Sequence, residues 1–373
     1  MKNLWIILII GIAIRIFLAA STYHSDLEVF NLGGQLVAKG YILNLYDYSS
    51  EVAVFNYPPL IYWFHGLFNP LSGGVLWLLK LPYLIFDLSL GLILYKLVDP
   101  KKAVLTFGLW MFNPVSLYAT YMMGQFVIIP TFFTVLSIFL VAKNKLQLAA
   151  LALGFGIAFK LYPIFLLIPL IILGKTFWDK FKLGILAILP YLLSIIPYLP
   201  QVSFRTTALF ANQSSKSLYA SIPVSGGEAI LLFPAFLILF YLVFAMKGVE
   251  KLSFWRMYLI PLLLFFIFTH YHPQWLIWVT PFLILDLVIY RFKNWLAQLL
   301  IFGSWIGSLF FFDPSLTIGI FTPLFPASQN IADIWTLSKI NVDYNLARSV
   351  LQTIFAAAAL YLIVKYFPGN EKA

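Results

Sequence analysis

Apolar runs of helix length recur from one end of this chain to the other, and they leave few folds open to it. They lie at 4–22, 73–97, 103–122, 124–142, 146–159, 161–174, 183–200, 228–246, 257–270, 275–290, 295–312 and 345–366. Inside a bilayer only helices and closed barrels satisfy their own backbone polar groups. These runs are not ten-residue alternating segments, so an outer-membrane barrel is excluded. The expected fold is all-α: a polytopic membrane protein of about twelve transmembrane helices, with residues 1–373 forming one integral membrane domain. Three runs (146–159, 161–174 and 257–270) fall short of the ~20 residues a bilayer asks for, so their boundaries are weak and some of them are expected to be broken or tilted. Charged residues make up 10% of the chain, against about a quarter in soluble domains. There is no cysteine, which removes disulfides, thiolate metal sites and cysteine nucleophiles.

The N-terminal stretch MKNLWIILIIGIAIRIFLAAS starts basic and continues apolar, as a signal peptide does. It is long for one and Arg15 interrupts it, so a retained first helix is expected.

The formal net charge is +10, and its distribution explains it. With the N-terminus inside, alternation places the linkers DPKK (99–102), KNK (143–145), KTFWDKFK (175–182), KGVEKLSFWR (247–256) and YRFKN (290–294) in the cytoplasm. Together with Lys96 and the two termini, these hold sixteen of the 24 Lys and Arg residues. That is the positive-inside pattern of short cytoplasmic loops, and it speaks for topology rather than nucleic-acid binding. The opposite linkers, about 23–72, 201–227 and 313–344, are long. They carry Asp26, Glu28, Asp47, Glu51, Asp313, Asp333 and Asp343. All four histidines (His24, His65, His270 and His272) fall on the same side. The chemistry is therefore expected on the non-cytoplasmic face. No 20–50-residue period and no inverted hydropathy pattern is visible, which weakens a transporter built from inverted repeats.

In the first of these linkers, STYHSDLEVF (21–30) sets His24, Asp26 and Glu28 beside the first apolar run. The residues after it read as an amphipathic helix, with Leu27, Phe30, Leu32, Leu36 and Val37 on a face expected to lie on the membrane. Adjacent prolines in Asn56-Tyr57-Pro58-Pro59 hold Tyr57 extended. An aromatic stretch follows, with Tyr62, Trp63, Phe64 and Phe68 suited to headgroup level. Asp26 and Glu28, two apart, do not share a helical face, so a close carboxylate dyad is not expected. Three roles stay open on the residues alone. One carboxylate suits a general base that takes a proton from an acceptor hydroxyl. The pair offers an incomplete shell to a divalent cation. An acid at a helix start suits a cap. Arg15, Lys80 and Asp87 lie within apolar runs, where charges are costly and usually paired. Asp87 is expected to pair with Arg15 or Lys80 in a structural role.

Several of these segments, in this order, resemble the GT-C glycosyltransferases, multi-spanning enzymes that use polyprenyl-phosphate sugars. HSDLE (24–28) and FNYPPL (55–60) resemble the family's acidic and Tyr-Pro-Pro sequences. LKLPYLIFDLSLGLILYKL (79–97) resembles the helix that follows them, and AFKLYPIFLLIPLIIL (158–173) a Lys-x-x-Pro segment. GQFVIIPTFF (124–133) resembles a segment that in many relatives reads GQFDxxP, but Val127 stands here in place of the Asp. YHPQWLIWVTPFLIL (271–285) is similar to the corresponding segment of enzymes that add the first mannose to glycosylphosphatidylinositol. The resemblance covers roughly residues 1–290. It implies a single membrane glycosyltransferase domain that moves one sugar, mannose first and glucose second, from a polyprenyl-phosphate (dolichyl-phosphate-type) donor to a lipid or glycan acceptor hydroxyl, with inversion.

On that reading Asp26 is the catalytic base. Glu28, His24, Tyr57, Lys160, Arg205, Lys216, His270, His272, Gln274 and Trp275 are expected to bind substrate. The phosphate leaves toward Lys160, Arg205 or His272, since an anionic leaving group needs positive charge more than it needs an acid. The polar loop SFRTTALFANQSSKSLY carries Arg205 and Lys216 and is suited to a lid. No metal site is expected; a divalent cation is possible but not required. The absence of cysteine and the compact length lean toward a prokaryotic plasma membrane. The rival readings are a polytopic transporter or lipid flippase, and a lipid-linked polysaccharide polymerase or ligase.

Overall fold

A computed structural model describes residues 2–49, 53–210, 215–248 and 253–368. Glu51, Lys251 and Lys372, which enter the charge pattern above, lie outside the described residues. The chain is helical almost throughout. Its principal helices are α1 (Lys2–Ser21), α2 (Asp26–Ala38), α3 (Pro59–Ser72), α4 (Tyr83–Leu97), α5 (Pro100–Met111), α6 (Ile128–Ala142) and α7 (Leu146–Phe159). They continue with α8 (Leu167–Ile172), α9 (Phe177–Ile195), α10 (Leu232–Lys247), α11 (Trp255–Phe268), α12 (Thr280–Ile289), α13 (Trp295–Leu309) and α14 (Tyr344–Tyr366). Each apolar run of the sequence thus contains helix. Among the described residues, four helical stretches are long and apolar enough to cross a membrane: Asn3–Ser21, Leu76–Leu97, Phe177–Tyr198 and Tyr344–Tyr366. Their outward faces are greasy, with Ile9 at 64% and Phe17 at 62% exposure on α1. A surface of that kind is lipid-facing, and the chain is an integral membrane protein.

Local chemistry sets many boundaries. Asp99 caps α5 by accepting from the Lys101 amide at 2.8 Å, with Pro100 at the first helical position. Thr176 and Asp179 form a reciprocal capping box at the start of α9 (3.1 and 3.0 Å). The segment 161–174 is broken as its length suggested, into a 3₁₀ turn at Tyr162–Leu166 followed by α8.

One element departs from the all-α expectation. Ser221–Pro223 (β1) and Ala229–Leu231 (β2) pair antiparallel, with Ile222 opposite Ile230. Gly226 and Gly227, at φ +59° and +91°, supply the left-handed backbone that reverses the chain. The apolar run that begins at 228 therefore opens as strand and becomes helix only at Leu232.

The chain divides into two compact units. The first comprises Met1–Ile42, Tyr62–Ile129 and His272–Ala358; the second comprises Leu43–Ile61, Pro130–Tyr271 and Ala359–Ala373. In the first unit, α4 packs along α5, and α1 packs on α5 and on a π-helical turn at Leu117–Met122. Its centre is charged. Arg15 Nε meets Asp87 Oδ2 at 2.6 Å, and the same carboxylate accepts from Tyr121 Oη and Trp110 Nε1, both at 2.7 Å. Arg15 Nη1 also donates to the Met111 carbonyl at 2.7 Å. Asp87 thus takes the first of its two expected partners.

α2 rests on α3 in this unit. A Cβ on Gly34 would come within 2.9 Å of His65 backbone, and one on Gly33 within 2.3 Å of the Tyr62 ring. This glycine pair lets the helices touch. Leu27 and Phe30 are buried, with Phe30 stacked on His65 and edge-on to Phe126. That face of α2, expected on the membrane, packs against protein instead, because the paired glycines bring α3 close enough to cover it. Leu32 stays outward. His65 is likewise interior, with Nε2 2.9 Å from the Tyr83 hydroxyl.

In the second unit α7 packs closely on α9. Buried hydroxyl pairs link its helices, Thr131 to Tyr162 at 3.2 Å and Ser137 to Tyr258 at 3.1 Å. Phe165, Phe233 and Phe265 form an aromatic cluster beside them.

Candidate active site

Asp26 opens α2, five residues after α1 ends. Ser25 precedes it in the capping position but its side chain makes no cap bond. His24 does that work, since its Nδ1 accepts from the Asp26 backbone N–H at 3.2 Å. Only an imidazole with Nδ1 unprotonated can accept there. Burial pushes the His24 pKa below 6.5, outweighing the opposite pull of Asp26 and Asp313. The Asp26 side chain is therefore released from capping. Its Oδ2 accepts a hydrogen bond from the Gln125 side-chain amide, and lies 3.7 Å from His24 Nδ1. No hydrogen bond among the described residues engages Oδ1, and the side chain is 39% exposed. Glu28 has a different partner, the Tyr23 hydroxyl. Burial, together with that bond, raises the Tyr23 pKa. The two carboxylates are thus separately held, each through one oxygen.

Gln125 was not singled out by the sequence, although a glutamine inside an apolar run is itself a signal. It follows the π-helical turn, whose end it closes by donating its backbone N–H to the Ala119 carbonyl at 3.0 Å. Gly124 before it sits at φ +66°, and an added Cβ would lie 3.2 Å from Lys80 Cε. Only glycine suits both conditions. Lys80 is buried, and its ammonium donates to three carbonyls: Thr22 at 2.6 Å, Tyr121 at 2.9 Å and Ala19 at 3.1 Å. Helix-end carbonyls of this kind have no intrahelical partner, and the cation supplies one.

In the same unit, Pro273–Trp278 forms a 3₁₀ turn packed on the π-helical turn. Trp305 Nε1 anchors it through the Pro273 carbonyl at 2.9 Å. His272 is half-buried and lies 5.4 Å from the Trp275 ring, which stacks on Trp278 at 5.1 Å. Gln274 is buried, and its Oε1 has no hydrogen-bond partner among the described residues.

The remaining sequence-predicted residues belong to the second unit. Lys160 leaves α7 in extended conformation and is buried, with its ammonium 5.2 Å from the Tyr57 ring centroid. The Tyr57 carbonyl accepts from Tyr46 at 2.6 Å. The segment before Tyr57 is stitched to 201–207: Ser203 donates to Asp47 at 3.2 Å and Thr207 to the Phe55 carbonyl at 3.0 Å. Arg205 stands in a second π-helical turn, its guanidinium donating to the Leu199 and Pro200 carbonyls at 2.8 and 2.9 Å. Lys216 lies in a short 3₁₀ turn, and His270 is exposed just past α11. Among the described residues, no three His, Asp or Glu side chains converge as a metal would need.

Residues 122–215 match the family model for Mannosyltransferase (PIG-M). Two fungal proteins named GPI mannosyltransferase 1 are similar to the chain. The Saccharomyces cerevisiae protein is 30% identical over 134 residues, which cover 34% of this chain and 32% of that protein. The Candida albicans protein is 29% identical over 151 residues, covering 37% and 35%. Residues 122–215 are thus mannosyltransferase-like. The match spans about a third of the length of either relative. The matched family segment carries Gln125, Lys160 and Arg205, and Asp26 lies upstream of it. Within this GPI-mannosyltransferase-like segment Val127 is fully buried. The position where the resemblance would place an Asp is here part of the apolar interior.

Proposed function

We propose that this chain is an inverting GT-C mannosyltransferase, with residues 1–373 acting as one membrane domain of about twelve spans. It takes one mannose from a polyprenyl-phosphate donor and places it on a hydroxyl of a lipid or glycan acceptor, at the non-cytoplasmic face of a prokaryotic plasma membrane. Glucose is the second choice of sugar. The observation that carries the reading is the carboxylate of Asp26, with one oxygen held by Gln125 and the other open. The Mannosyltransferase (PIG-M) match supports the sugar.

Asp26 takes the proton of the acceptor hydroxyl at Oδ1 as the acceptor oxygen bonds to the anomeric carbon from the face opposite the phosphate. The bond to the phosphate oxygen breaks, its electron pair leaves with the polyprenyl phosphate, and the anomeric configuration inverts. Positive charge assists that departure. Lys160, Arg205 or His272, with Lys216, are the cations the sequence nominates for that charge; Lys160 is seated against Tyr57. His270, Gln274 and the Trp275–Trp278 stack are proposed to hold the sugar, and Glu28 the acceptor. The chemistry uses energy stored in the donor, and no step is routed through a metal.

The test is mannose transfer from radiolabelled polyprenyl-phosphate mannose into the lipids of membranes containing the chain. Asp26→Asn should lower turnover at least ~100-fold, the range expected for loss of a general base. Full turnover by that variant would sink the assignment. Substrate counterflow in vesicles without transfer would favour a transporter, and a diphosphate-linked oligosaccharide donor would favour a polymerase.

A further inference from the structure

Asp26 and Gln125 stand at matching places on two strands of backbone. Asp26 is four residues past Thr22, and Gln125 is four residues past Tyr121. The Lys80 ammonium binds the carbonyls of both Thr22 and Tyr121, at 2.6 and 2.9 Å. The Thr22 hydroxyl reaches the Tyr121 carbonyl directly at 3.3 Å. One buried cation therefore ties the two chain segments together just upstream of the pair. Beyond the tie, Gly124 turns the backbone at φ +66° so that Gln125 points back toward α2. The Gln125 side chain is fully buried, and its Oε1 has no hydrogen-bond partner among the described residues. A buried amide that leaves its acceptor unsatisfied is costly. Its structural use here is the donor bond to Asp26 Oδ2.

We infer that Gln125, set by the Lys80 tie, is a positioning residue: it fixes the rotamer of Asp26 by holding Oδ2, so that Oδ1 alone faces the acceptor hydroxyl. This inference rests on the reading of Asp26 as the base. Gln125 touches no substrate in this account and acts only through the carboxylate.

Two substitutions test it in the mannose-transfer assay. Gln125→Leu keeps the size and removes the donor. It should lower kcat about 10- to 100-fold, the penalty for a reacting group loosely placed, with the KM for polyprenyl-phosphate mannose within about twofold of wild type. Gln125→Glu keeps the shape and can donate only while protonated. It should retain activity at low pH and show a new alkaline limb. A fold-only role produces no such limb, and the near-isosteric Glu variant keeps the test open if the Leu variant does not fold.

Wild-type kcat in both variants and no alkaline limb in Gln125→Glu, with Asp26→Asn inactive, would overturn the positioning role and leave the base assignment standing. An active Asp26→Asn variant would remove both.

Discussion

His24 shows how much a single side chain decides in this site. It accepts the first amide of α2 and lies beside the carboxylate it frees from capping. Burial holds its pKa below 6.5, so protons bind more readily to the unfolded chain than to the folded one. The stabilising contribution of neutral His24 is then fully present above about pH 6.5 and is lost as the pH falls toward its lowered folded-state value. The melting temperature of the detergent-solubilised protein should accordingly fall with acid below that point. Asn offers an acceptor oxygen near the place of Nδ1 but cannot titrate, so His24→Asn should flatten this part of the curve. An equally steep acid limb in the variant would show that another group governs it. Sequence reasoning placed His24 in the site as a substrate ligand. Its capping work could not be read from the letters, because histidine is not among the residues that usually cap a helix.

The elements are held by close approaches that the sequence hints at only faintly. Gly33 and Gly34 let α2 lie on α3, and a branched side chain at 34 would meet His65 backbone that cannot yield. Gly34→Val should destabilise the protein by about 1–3 kcal/mol, the usual cost of overpacking. It should also lower mannose transfer by displacing α2, whose first residue is Asp26. A variant with normal melting and full transfer would mean that α2 tolerates being lifted. The helices themselves were legible, since apolar runs of this length have no other way to satisfy their backbone. The π-helical turn at Leu117–Met122 was not. It falls inside an unbroken apolar run, and what opens it is tertiary: Lys80 and Thr22 draw the Tyr121 carbonyl out of the helical ladder. The strands β1 and β2 were hidden for the opposite reason, because β2 reads as the first turn of the helix that follows it.

For the whole molecule, the charge pattern makes the sharpest statement about sidedness. A chain without cysteine allows one to be placed anywhere as a reporter. Cysteines at Asn44 and Asn341, both exposed, should react with a membrane-impermeant maleimide in intact cells. Those at Lys101 and Lys145, also exposed, should react only after permeabilisation. The reverse pattern would turn the proposed site to the cytoplasm. The division into two compact units was not legible, because each gathers stretches far apart in the chain. Apolar periodicity records which face a helix hides, and it does not record the neighbour that hides it.

The Arg15–Asp87 pair also carries a clock. Its members are separated by 72 positions, and ribosomes add roughly 5–20 residues per second. The first helix is therefore made several seconds before the carboxylate that neutralises its guanidinium. A lone arginine at that depth is poorly tolerated in lipid. During biogenesis, then, α1 would be expected to linger beside the insertion machinery until α4 arrives, so that the two enter the bilayer as partners. Replacing Arg15 by leucine would let the first helix partition early and alone, which makes this one pair a setting for the order of assembly.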